Sequence, residues 1–96
     1  MLKLSENAAA ALETIRQNRG IPEDHGTRLT GDQQPSGDLA VRLEFVENVP
    51  EGDQVAEQAG TEVHVDPEIA EPLAEVLMDV EQSAEGLAFV FRPQVP

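Results

Sequence analysis

Leu39-Ala40-Val41-Arg42-Leu43-Glu44-Phe45-Val46 alternates without a break. Leu39, Val41, Leu43 and Phe45 share one face, with Ala40, Arg42 and Glu44 on the other. That period of two is the mark of a half-buried β-strand. Ahead of it, 31–38 (GDQQPSGD) holds two glycines, a proline and no aliphatic side chain, the composition of a loop. Behind it, 48–52 (NVPEG) turns the chain into a short extended piece at 54–57. Gly60 then opens a turn into 61–66 (TEVHVD), where Val63 and Val65 face inward and Glu62, His64 and Asp66 face out. A further short strand is predicted upstream, over 27–30.

Residues 5–19 read as a helix. Ser5 supplies an N-cap hydroxyl for an otherwise unpaired backbone N–H. Glu6 in the first turn and Arg16 and Arg19 in the last complement the helix dipole. Gly20 suits the left-handed stop, and Pro22 follows where a helix cannot continue. Ala8, Ala11, Leu12 and Ile15 form the stripe that packs, narrow enough to lie close on a sheet. At Asp66-Pro67 a second helix begins, with an N-cap and proline at the first helical position. Pattern alone allows Ile69, Leu73, Val76, Leu77 and Val80 to continue it as one helix. Alternation at Val76, Met78 and Val80 equally allows a strand.

Ninety-six residues suit one domain, 1–96, with a single modest core. Hydrophobic residues make up 40% but include no tryptophan or tyrosine, so the core rests on Val, Leu, Ile and Ala, with Phe45, Phe89 and Phe91 as its large pieces. Nineteen acids against six bases give a formal charge of −13. No basic stripe exists to displace counterions from phosphates, which argues against nucleic acid. The same imbalance argues against an anionic membrane and is compatible with a basic protein partner. With no cysteine there is no disulfide, thiolate nucleophile or thiolate ligand among these residues. Lys3, Glu6 and Glu13 interrupt the start of the chain, unlike the apolar region of a signal peptide, so the expected location is the cytoplasm.

Taken in order, LKLSENAAAAL at the start, LAVRLEFV, the turn at Val49-Pro50-Glu51-Gly52-Asp53, TEVHVD and the closing GLAFVFRP resemble the HesB-like A-type carriers of iron–sulfur cluster assembly. The resemblance implies a mainly β (α+β) fold, a small β-sandwich or partly open barrel with two flanking helices. It also implies that the second helix is short, ending near Ala74. A strand over about 76–81 then pairs with 87–91 across Ser83-Ala84-Glu85-Gly86. The carriers hold iron or a cluster with three cysteines, one just before the LEFV-type strand and a Cys-x-Cys pair past the final strand. Here the first position falls at about Pro35 or Ser36, and the sequence ends at Pro96 ahead of the second.

Candidate chemistry is sparse. Ser36 is a poor iron ligand beside a thiolate, because soft sulfur holds these clusters; the plainer expectation is a polar surface turn. Glu62, His64 and Asp66, at alternate positions on one strand face, are the candidate oxygen/imidazole metal ligands, although acids along an exposed strand are ordinary in so acidic a chain. His25, between Asp24 and Gly26 in a turn, is weaker. No carboxylate lies in an apolar stretch, no serine has an elbow or lysine context, and no phosphate-cradling loop is present. No catalytic or cofactor-binding residue is assigned, and no pocket with convergent polar groups is expected. Arg42 beside Glu44 reads as a cross-strand ion pair of little weight. Arg92, Pro93 and Val95 form a tail where the carriers place their Cys-x-Cys arm, leaving the sheet faces and helix 5–19 as partner surfaces. The expected function is that of a non-enzymatic, cysteine-less relative of the carriers, a protein-interaction or regulatory module without a cofactor. Its partners by family precedent lie in iron–sulfur or sulfur metabolism, and a homodimer is an expectation of the resemblance only. The alternative is a metal carrier using Glu62, His64 and Asp66.

Overall fold

The computed structural model describes residues 1–94. Seven strands and two helices follow one another as β1 (Lys3–Leu4), α1 (Glu6–Arg19), β2 (Gly26–Gln33), β3 (Leu39–Val46), β4 (Gln54–Gln58), β5 (Thr61–Val65), α2 (Pro67–Ala70), β6 (Val76–Ser83) and β7 (Gly86–Pro93). They form a three-stranded sheet, β1-β6-β7, and a four-stranded sheet, β3-β2-β5-β4. The architecture is mainly β within the α+β class, as the resemblance implies.

Helix α1 starts and stops where its sequence says. Ser5 Oγ accepts from the Ala8 N–H at 3.0 Å, and Gly20 is left-handed at φ 64°. Ala8, Ala9, Ala11 and Leu12 are buried, while Ile15 is only half-buried. The small alanines let α1 lie close over β6, with Leu12 fully enclosed. Burial of one such leucine contributes about 1.5–3 kcal/mol.

Strand β2 is longer than expected. It runs through Gly31 and Asp32 to Gln33, residues whose composition reads as loop, and pairs with all eight residues of β3. Gly31 is there for packing. A Cβ at that position would stand 2.9 Å from Ile69 Cγ2 and 3.1 Å from the Ala40 carbonyl oxygen, so α2 rests directly on its backbone. The expected alternation of β3 holds, with Leu39, Val41 and Leu43 packed on the core and Arg42 and Glu44 exposed.

The ambiguity after Asp66 resolves as a hairpin. Asp66 Oδ1 accepts from the Glu68 N–H at 2.9 Å, and α2 lasts only to Ala70. Turns carry the chain to Val76, and β6 pairs with β7 from Val76↔Pro93 to Ser83↔Gly86. At the β4–β5 hairpin Ala59 and Gly60 both have positive φ, 53° and 83°, as a two-residue loop between twisted strands needs.

The core joins Leu2, Leu4, Leu12, Leu29, Val65 and Met78 with the residues around them. The phenylalanines are not its large pieces. Phe45 and Phe89 are half-buried, and Phe91 is 38% exposed. Aliphatic side chains from α1, β2, β5 and α2 already fill the narrow space between the sheets, and the wider rings remain at its margin. Strand β1 has no counterpart in the sequence reading. Its two residues pair in parallel with Leu77 and Met78, a contact between distant segments that leaves no local periodicity.

Candidate functional site

The loop between β2 and β3 is the first place to look, because it occupies the position expected for a ligand. It is a closed polar turn. The Gln34 N–H donates to the Asp38 carbonyl at 2.7 Å and the Gly37 N–H to the Gln34 carbonyl at 2.9 Å. Ser36 Oγ, the side-chain donor at the centre of the turn, lies 3.2 Å from Asp38 Oδ2. The turn therefore offers hydroxyl and carboxylate oxygens and no sulfur, a donor set that does not fit an iron–sulfur cluster.

Of Glu62, His64 and Asp66, the fold brings Glu62 and His64 to one cleft and leaves Asp66 out of it. Asp66 is committed elsewhere: besides capping α2, its Oδ2 lies 3.4 Å from Arg28 Nη2. Arg28 in turn forms a two-pronged pair with Asp53, Nε to Oδ2 at 2.7 Å and Nη2 to Oδ1 at 3.2 Å. The Asp53 side chain is only 2% exposed. The Asp53 hydrogen bond raises the Arg28 pKa against the lowering by burial, so the cation is secure. Among the described residues no group of three or more His, Asp or Glu is arranged to hold a metal ion.

What the fold does assemble is a polar cleft of about 240 Å³ beside the start of β2. Glu13, Arg16, Glu23, His25, Glu62 and His64 line it, so both histidines of the chain face one space. The parallel pairing of β2 with β5, Arg28↔His64, brings them together, and the His64 ring lies against Gly26. No local motif announces a parallel register, and the expectation that no pocket with convergent polar groups exists is corrected here. Two of these side chains are engaged by the fold. Arg16 donates to the Pro22 and Glu23 carbonyls and to Thr27 Oγ1, with its guanidinium 5.8 Å above the Phe45 ring. Glu13 Oε1 accepts from Thr61 Oγ1 at 3.1 Å.

The remaining expectations divide. Arg42 forms the expected cross-strand ion pair, with Asp32 of β2 at 2.6 Å. Both partners are 63% exposed, and a pair in that setting is worth about 0–1 kcal/mol. Arg92 and Pro93 belong to β7 and are not a tail; Arg92 pairs with Asp79 and Glu81 on β6. Val95 lies outside the described residues. No helix among them is long and apolar enough to cross a membrane.

No family model matches the sequence, and no curated protein matches it. Solved structures do. An IscA structure with a [2Fe–2S] cluster superposes over 97% of this chain and 85% of its own, with TM-score 0.80 and 24% identity. The chain has the fold of IscA. SufA of Escherichia coli, involved in biosynthesis of iron–sulfur clusters, is similar over 96% of this chain and 84% of its own, with TM-score 0.78 and 18% identity. A protein of Aquifex aeolicus solved by solution NMR is similar over 95% of this chain and 89% of its own, with TM-score 0.71 and 23% identity. On this IscA fold, the 96 residues present contain no cysteine.

Proposed function

We propose that this chain is a divergent relative of the iron–sulfur cluster carriers that does not hold a cluster and acts as a non-enzymatic protein-interaction or regulatory module. The observation that carries the proposal is the turn at 34–38. At about Pro35 or Ser36, where the carriers it resembles place a cysteine, the Ser36 hydroxyl is hydrogen-bonded to Asp38 within a loop closed by its own backbone. Hard oxygen donors favour other ions over sulfide-bridged iron. In the polar cleft Arg16 and Glu13 are hydrogen-bonded to the fold. By family precedent the partners are proteins of iron–sulfur or sulfur metabolism.

Mass action supplies the test. A ligand that binds only the folded chain raises its melting temperature by an amount set by its concentration over Kd. Anaerobic thermal unfolding with ferrous iron and sulfide is expected to give the same Tm as unfolding in chelator. A rise of several degrees that chelator reverses contradicts the proposal.

A further inference from the structure

The two sheets meet where β1 lies beside β4, which leaves β3 and β7 as their outer edges. An open edge presents unpaired backbone N–H and C=O groups, and proteins ordinarily guard it with charges, prolines or bulges. Strand β3 follows that rule, with Arg42 and Glu44 in mid-strand. Strand β7 does not. Between Gly86 and Arg92 it reads Leu-Ala-Phe-Val-Phe, without charge or proline and without a break in its register on β6. Leu87 is 56% exposed and Phe91 38%.

A groove of about 440 Å³ runs between α1 and this hairpin, walled by Asn7, Ala10, Ala11, Thr14, Val80 and Leu87. None of these is charged, but acids surround them. Glu6 stands one helical turn before Ala10, and Glu85 sits at the hairpin tip beside Leu87. The nearby cation, Arg92, is taken up by Asp79 and Glu81. We propose that the edge of β7 and the groove under it take an extended segment of a partner protein in which apolar side chains alternate with lysine or arginine. The segment adds as a fourth strand to β1-β6-β7, its main chain bonded to β7, its apolar side chains over Leu87 and Phe91, and its cations toward Glu6 and Glu85. Charge selects this occupant over a second copy, since a dimer at this edge brings together two chains of formal charge −13. The inference rests on the protein-interaction reading and names the surface and chemistry it uses.

The probe is a short synthetic peptide alternating valine with lysine, titrated into the ¹⁵N-labelled chain and followed by amide shifts. A proline-interrupted peptide of the same charge is the control. Shifts concentrated on residues 86–93 and along Asn7, Ala10 and Thr14 support the proposal. Binding is expected to weaken at least about fivefold between roughly 50 and 500 mM salt. Leu87→Lys, on an exposed side chain, is expected to weaken it by a similar factor while leaving the spectrum dispersed. Equal shifts with the proline-interrupted peptide, or shifts spread over all acidic faces, overturn it as nonspecific attraction. Concentration-dependent broadening of the β7 amides without peptide overturns it in favour of a second copy. Shifts confined to β3 overturn this edge while leaving the interaction reading standing.

Discussion

Two acidic residues carry more of this fold than their neighbours do, and for opposite reasons. Asp53 is buried and charged, and its cost is offset by the two-pronged Arg28 pair. Removing one partner of a buried pair leaves an uncompensated charge, which costs about 3–5 kcal/mol. Arg28→Met is therefore expected to destabilise by about 3 kcal/mol in urea unfolding. Arg28→Met combined with Asp53→Val should cost less than the single change, because the most buried carboxylate is removed and Asp66, the other partner of Arg28, is partly exposed and still caps α2. Asp79 is closer to solvent. Its pKa is lowered first by the Ser5 hydroxyl and then by the Val80 N–H, against a rise from burial that is larger than the further lowering by the charge of Arg92. A lowered folded-state pKa stabilises above the ordinary aspartate value of about 3.9 and is lost as pH falls through the lowered one. Asp79→Asn is expected to flatten that acid limb of Tm against pH while leaving its slope between pH 6 and pH 8, roughly, unchanged. An unaltered acid limb contradicts the assignment.

At the scale of elements, Gly31 shows what a sequence conceals. Composition makes it a loop residue, yet it lies in β2 because Ile69 of α2 leaves no room for a Cβ. Gly31→Ala is expected to destabilise by about 1–3 kcal/mol through overpacking, read as a lower urea midpoint at unchanged slope. The elements legible beforehand were those with local signals: the Ser5 cap and Gly20 stop of α1, the alternation of β3, and the Asp66-Pro67 start of α2. Residues 76–91 needed the family resemblance to separate hairpin from helix, since Val76 and Val80 fit both periods. Parallel pairing was not legible at all. It creates β1 against β6 and sets His64 beside the His25 turn, so the polar cleft depends on contacts that no sequence window contains. The partner of Asp66 was equally hidden, because Arg28 reaches it from a strand far away in the chain.

For the whole molecule, the informative fact is a fold shared with IscA and SufA on a chain whose donors at the expected ligand position are oxygens. Fold and chemistry are separable, and function follows the site. Here the site region is a closed turn, while the β7 edge has an uncharged groove and acidic surroundings. The protein-binding role we propose rests on those two features. The most direct measurement is anaerobic reconstitution with ferrous iron and sulfide, desalting, and then visible absorption and iron per chain, with IscA treated in parallel. The expected result is a colourless chain holding well under about one iron per ten molecules, beside a coloured control. A retained chromophore with stoichiometric iron and sulfide would contradict the claim that this fold has parted from its cargo.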